Sequence, residues 1–337
     1  MTNVNYKDIY QKITDQIIDD LEKGTPPWIQ PWRYEATESM HVQTGIWPRN
    51  AYSGNYYGGS NVLMCWAHMS VLGLNLKDTE PVFLTFRQAK MLGGYVKKSA
   101  KGCPVIAYRT GIKEVENADG DTETKTIRGV FGHVVFHVSQ CKDITLKRGA
   151  WKEKPTILPD LSKEKDWQAF INATGAVVRH GGNKAVYYPL QDEIHMPKAG
   201  QFRSKELYKS VLCHELTHWT GHSKRLSRKL LNPKGDAQYA EEELVAELGA
   251  AFMCARLGIQ HEKLRHASYI KSWLGVLKHD KKFIVKASSQ AMRAVEFIEN
   301  IASQELNKIN TKETNKNAKT KPKVSRSKHR SDLRLHQ

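Results

Sequence analysis

The strongest constraint on this chain is the run S-V-L-C-H-E-L-T-H-W from Ser210 to Trp219, followed by the acidic and apolar run E-E-E-L-V-A-E from Glu241 to Glu247. His214 and His218 stand four residues apart. On an α-helix they lie one turn above each other on the same face, so both imidazoles can converge on one tetrahedral ion. Glu215 projects from the edge of that face, where a general base acting on water at the ion has to stand. A catalytic zinc has three protein ligands and one open position, so a third ligand must come from elsewhere.

His222 continues the register but fails on spacing. In the pattern H-E-x-x-H-x-x-G-x-x-H, Gly221 is in place while the final position holds Lys224. His222 therefore reads as a helix-end residue beside the stop signal Gly221. Glu243 is the better candidate: Leu244, Val245, Leu248, Ala251 and Phe252 mark a buried helix, and a carboxylate in such a stripe needs a partner. Glu247, one turn on, can bond the free ring nitrogen of a ligand histidine. The sequence thus predicts a Zn2+ site of the two-histidine-plus-glutamate, gluzincin type. The competing reading is a structural histidine pair with an unrelated solvated acidic face.

At 337 residues the chain is long enough for two domains, each with its own core. The most apolar run, Val62 to Leu74, is interrupted by His68 and too short to span a bilayer, and the N-terminus lacks the basic-then-apolar order of a secretory signal. Cys65, Cys103, Cys141, Cys213 and Cys254 are scattered without a C-x-x-C pair, which argues for a reducing cytoplasm and against a disulfide framework or thiolate metal site. The expectation is a cytoplasmic protein with no membrane partner.

The formal net charge is +17. Roughly half of it lies beyond Asn307, in a segment of low apolar content read as a disordered basic tail. A second concentration is more informative. Between Glu80 and Glu114 there is no acidic residue, while Arg87, Lys90, Lys97, Lys98, Lys101, Arg109 and Lys113 accumulate. It follows a turn-rich stretch dense in rings, including Trp28, Trp32, Trp47, Tyr56, Tyr57 and Trp66. Rings for stacking beside a cationic surface are the two ingredients of single-strand binding, although burial in a small core is the commoner fate of such rings.

Helical spacing of Ile9, Ile13, Ile17 and Leu21 predicts a helix over 6–23, ended by Gly24-Thr25-Pro26-Pro27. A strand at 81–84, a helix at 86–92 capped by Thr85, and a hairpin of 105–115 with 127–138 follow. Helices are expected at 167–174, 267–277 and 284–298. Asp192 to Met196 is read as the edge strand along which a zincin would hold an extended peptide. The fold class is α+β, divided into a nucleic-acid-binding domain at 1–148, a linker at 149–163, a zincin-like domain at 164–304 and the tail at 305–337.

Apart from the tail, the chain resembles the ArdC-type antirestriction proteins, including TraC primase-like members. The resemblance rests on Pro27-Trp28 and Pro31-Trp32, P-R-N-A-Y-S-G-N-Y-Y-G-G-S-N from Pro48 to Asn61, and T-F-R-Q-A from Thr85 to Ala89. It continues through D-E-I-H-M-P from Asp192 to Pro197, H-E-L-T-H-W-T-G-H from His214 to His222, and Y-A-E-E-E-L-V-A-E-L-G-A-A-F from Tyr239 to Phe252. What it implies is a domain binding single-stranded DNA joined to a zincin-like metallopeptidase domain, carried by plasmids or phages to protect incoming DNA from host restriction.

Carried over by position, the metal set is His214, His218 and Glu243 with Glu215 catalytic. The motif residues Asn50, Asn61 and Gln88 join Trp28, Trp32, Tyr56, Tyr57, Arg87, Lys97, Lys98 and Lys101 as expected DNA contacts. His266 and Tyr269 are candidate oxyanion donors by helical position. Three functions are compatible with this: a DNA-bound peptidase acting on a restriction enzyme or another protein, a shielding protein with a structural metal fold, and a primase-like accessory. The third lacks a D-x-D cluster or a phosphate-cradling glycine loop in the N-terminal half.

Overall fold

The computed structural model describes residues 6–24, 26, 28, 46–76, 79–116, 122–148, 151, 164–230, 237–259 and 267–320. Helix α1 (Tyr6–Glu22) forms as its spacing predicts, with Ile9, Ile13, Ile17 and Leu21 at most 2% exposed. Strands β1 (Arg49–Asn50), β2 (Val82–Thr85), β4 (Cys103–Glu116) and β5 (Thr122–His137) make a four-stranded sheet in the order β1-β2-β5-β4. The long hairpin β4/β5 is antiparallel throughout, from Cys103 opposite Val135 to Glu116 opposite Thr122. Helix α2 (Ser60–Val71) packs on β4, and β3 (Tyr95–Val96) pairs with β6 (Cys141–Lys142) as a separate ribbon.

The C-terminal half is built from α4 (Glu164–Thr174), a sheet of β7 (Val177–His180), β8 (Val186–Tyr188) and β9 (Glu193–Met196), then α5 (Lys205–Thr220), α6 (Ala237–Leu257), α7 (Ala267–His279) and α8 (Phe283–Thr320). Sheet order is β7-β9-β8, so the strand within the segment Asp192 to Met196 is central and not the expected edge. It is hydrogen-bonded on both sides, parallel to β7 and antiparallel to β8, which leaves it no free backbone edge for a peptide. Strand β7 has an exposed, imperfect alternation and was not anticipated.

Two further expectations are corrected. Helix α8 continues through Thr320, well into the segment read as a disordered tail. No Gly or Pro interrupts it before Lys321-Pro322, and a residue preceding proline is disfavoured in helix. The two halves, moreover, do not bury separate cores. One continuous core runs from α1 through α2 and the sheet into α5, α6 and α8. Trp47 and Trp66 pack edge-on against Phe252 of α6 with centroids 5.6 and 6.0 Å away, and Arg256 lies over the Trp47 ring. Helix α1 also binds across: Thr14 Oγ1 donates to the Lys281 carbonyl at 2.9 Å, and Glu22 pairs with Lys278.

A smaller cluster sits under the N-terminal sheet, with Val82, Leu84, Ala89, Leu92 and Trp151. Trp151, at the start of the expected linker, is thereby part of the N-terminal half, its Nε1 donating to the Ala51 carbonyl at 3.1 Å.

Candidate metal centre

Ser204 starts α5 by accepting from Leu207 N–H at 2.9 Å, an N-cap that fixes the register of the helix carrying His214, Glu215 and His218. Helix α6 crosses it closely. A Cβ built on Gly249 would meet the Thr217 side chain at 2.5 Å, so only glycine lets the helices approach this far. That approach brings Glu243 to the histidines.

His214, His218 and Glu243 offer ligand atoms all within 4.8 Å of one another. The two Nε2 atoms face each other at 3.2 Å, and Glu243 oxygens lie 3.8 Å from His214 Nε2 and 3.7 Å from His218 Nε2. Two nitrogens sharing a tetrahedral ion at ordinary Zn–N lengths would stand about 3.3–3.4 Å apart, so the donor set fits a divalent metal. The field fits as well. Burial pulls the His214 imidazole down, but Glu247, Glu215 and Glu243 outweigh it and raise the group to about 9, marking a place where positive charge is held. Glu215 is buried on the same helix at 7% exposure.

Glu247 is fully buried, with Oε2 3.7 Å from His214 Nδ1. The other histidine is supported by a residue the sequence reading missed. His218 Nδ1 is 3.0 Å from Glu242 Oε1, so consecutive glutamates of α6 address opposite nitrogens of one ring. The triplet Glu241-Glu242-Glu243 was the available signal. Residues 100° apart on a helix cannot all face the same point, but the helix rotation that decides among them is not in the sequence.

Beyond α5, Arg225 ties the chain back to the sheet. It donates to the Trp219 carbonyl at 2.6 Å, stacks over the Trp219 ring and pairs with Asp192, which also accepts from Tyr187 Oη. Asp192 holds a left-handed backbone at φ 56° to make this turn. The motif residue Asp192 is thus a clamp on the metal helix. His266 lies outside the described residues. Tyr269 falls in α7.

Residues 7–136 match the family model of the N-terminal domain of anti-restriction factor ArdC, and residues 165–290 match that of a zincin-like metallopeptidase. The metal-free crystal structure of antirestriction ArdC from plasmid R388 is 34% identical, with a TM-score of 0.69 over 88% of this chain and 98% of that one. The chain belongs to the ArdC antirestriction family.

The Mn(II)-bound crystal structure of the same R388 ArdC protein is 33% identical, with a TM-score of 0.67. A protein of Sinorhizobium fredii, uncharacterized and called y4eC, is 32% identical over 86% of this chain and 91% of its own length. DNA primase TraC of Escherichia coli is 32% identical over 87% of this chain, but the match spans only 27% of that primase. The zincin-like fold of this ArdC-type chain implies a metal ion, and among the described residues no helix is long and apolar enough to cross a membrane.

The ArdC-type N-terminal half distributes its motif residues unevenly. Trp28 is 1% exposed and packs edge-on to Trp273, which corrects its expected role as a base-stacking ring. Trp32 lies outside the described residues. Asn61 is spent on structure, its amide bonding both the carbonyl and N–H of Ile106 at 2.8 Å. Gln88 completes the capping box of α3 (Phe86–Met91) with Thr85 and also bonds Asn50. Asn50 Oδ1 in turn accepts from the N–H groups of Tyr52 and Ser53, closing a turn. Tyr56 accepts from Arg49, and Tyr57 packs on Phe83.

These polar motif residues hold the loop together through internal hydrogen bonds and are half-buried. By contrast Arg87, Lys97, Lys98 and Lys101 are exposed. Among the described residues, exposed rings near these cations include Tyr52, Phe86 and Tyr95, at 43%, 51% and 47%. Lys90 lies over the Phe86 ring at 5.6 Å.

Proposed function

We propose that this ArdC-type chain binds single-stranded DNA through its N-terminal half and hydrolyses a peptide bond at a Zn2+ site in its C-terminal half, protecting incoming DNA by acting on a protein met there. The observation that carries the catalytic part is the convergence of His214, His218 and Glu243 beside the buried carboxylate of Glu215. A bound divalent ion supplies Lewis-acid chemistry, polarising a scissile carbonyl and acidifying water. Glu215 would take the proton from the attacking water as its oxygen bonds to the carbonyl carbon. It would then deliver that proton to the amine nitrogen as the C–N bond breaks. Glu242 and Glu247 would hold the histidine rings in orientation.

Zinc is favoured over manganese because two of the three donors are imidazoles and zinc stands above manganese in affinity for such sites. Elemental analysis of the purified chain is expected to find about one zinc per chain. Loss of that zinc in His214→Ala supports the reading, and equal content in both proteins rules it out.

The DNA reading is supported by the exposed cations of α3 and the turn after β3, with Phe86, Tyr95 and Tyr52 as rings on which bases can stack. Replacing Lys97, Lys98 and Lys101 together by alanine is expected to lower the salt slope of single-strand affinity by about 2, each lost phosphate contact removing about 0.7. Phe86→Ala should weaken binding by roughly 1–3 kcal/mol, the worth of one stacked base. Fluorescence anisotropy with single-stranded and duplex oligonucleotides at several salt concentrations measures both. Unchanged slope in the triple variant would move the DNA site elsewhere.

A further inference from the structure

Arg228 follows Ser227, a non-glycine residue held at φ 51°, in the left-handed region that L-residues occupy at a cost. The turn is pinned by backbone bonds from Leu226 N–H to the Thr220 carbonyl and from Arg228 N–H to the Gly221 carbonyl, at 2.9 and 2.8 Å. Its result is to drive the Arg228 side chain, 7% exposed, between α5 and α6. Nε donates to Glu242 Oε2 and Nη2 to Glu242 Oε1, both at 2.9 Å, a two-pronged grip that lysine cannot reproduce. Nη2 also donates to the Thr217 carbonyl at 2.6 Å and Nη1 to Thr220 Oγ1 at 2.9 Å. The bond to the Thr217 carbonyl satisfies a backbone acceptor in the last turn of the helix that carries the histidines, where a cation is favoured.

From this geometry we infer that Arg228 and Glu242 are a positioning pair for the metal centre. Arg228 fixes the carboxylate of Glu242, which accepts from His218 Nδ1 and so turns His218 Nε2 toward Glu243 and His214. Neither residue offers an atom to the three-residue donor set itself. Arg228 joins three elements at once: the strained turn, the end of α5 and the carboxylate row of α6. The inference rests on the metal reading above.

Geometry also supplies a discriminating test. Arg228 and Glu242 line a cavity of about 460 Å³, together with Leu226, Gln238, Gln290 and Arg293. Removing the Arg228 side chain leaves a guanidinium-sized space continuous with that cavity, so a free guanidinium ion can enter and take up the same bonds. Metal affinity is read by chelator competition on the full chain, and the Co(II) absorption spectrum reports ligand geometry.

Arg228→Ala and Glu242→Gln are each expected to weaken metal binding about 10–100-fold, and the double variant to weaken it no further than the worse single one. Low guanidinium chloride, far below unfolding concentrations, restores Arg228→Ala but not Glu242→Gln, while sodium chloride of equal ionic strength restores neither. Arg228→Lys serves if Arg228→Ala does not fold, and should lose affinity without guanidinium rescue because its side chain still fills the space. Wild-type affinity in both Arg228 variants, or a loss in Arg228→Ala that guanidinium leaves unchanged, overturns the positioning role. A wild-type chain that binds no metal instead overturns the metal reading beneath it.

Discussion

Glu215→Gln is expected to keep its metal and its single-stranded DNA while losing the protection of incoming DNA, with any peptide hydrolysis falling by roughly 10²–10⁴-fold. The amide has nearly the size of the carboxylate, so the packing around this residue, 7% exposed, changes little. The three donors His214, His218 and Glu243 are untouched. On the proposed mechanism, what is removed is the group that would accept a proton from water and hand it to the leaving nitrogen. An antirestriction assay in cells, run beside metal content and oligonucleotide binding for both proteins, separates the possibilities. Full protection by a metal-loaded Glu215→Gln protein would mean that the DNA-binding half shields DNA without proteolysis.

Phe252→Ala should destabilise the whole chain by about 3–5 kcal/mol, the cost of emptying a buried phenylalanine site. Phe252 is fully buried where Trp47 and Trp66 of the N-terminal half meet α6. Its loss opens a cavity at the seam between the halves. Because one core spans both, urea unfolding followed by tryptophan fluorescence and by metal release should remain a single coincident transition at lower midpoint. Two separated transitions, with only the metal-binding half weakened, would show that the halves fold independently despite the shared aromatic cluster. The same seam bears on the site, since Phe252, the candidate donor Glu243 and the ring-orienting Glu242 and Glu247 belong to one helix, and a rigid α6 would hold the metal centre in fixed relation to the N-terminal half.

The limits of sequence reading follow from which contacts are local. Helical periodicity is fixed within a turn of chain, so the one-face placement of His214 with His218, the buried stripe of α1 and the Thr85 cap were all legible. The long hairpin was legible as well, because alternation and turn residues are neighbours in sequence. Glu243 could be singled out as a residue that converges on the two histidines because a carboxylate in an apolar stripe demands a partner.

What the tertiary structure alone decided depends on rotation and pairing between distant segments. The docking angle of α6 on α5, set by the close approach at Gly249, assigned Glu242 and Glu243 to opposite nitrogens of His218, two tasks 100° apart on the helix. Strand order put β9 in the middle of its sheet, since which strands become edges is not written in any one strand. Trp28 vanished into the interior against Trp273, and Asn50, Asn61 and Gln88 turned inward, because burial of residues in irregular chain follows no period. Arg228 reaches Glu242 across a turn whose shape no spacing rule specifies. Local repeats thus determined the candidate donors, and the packing of one helix on another determined which side chains brace them.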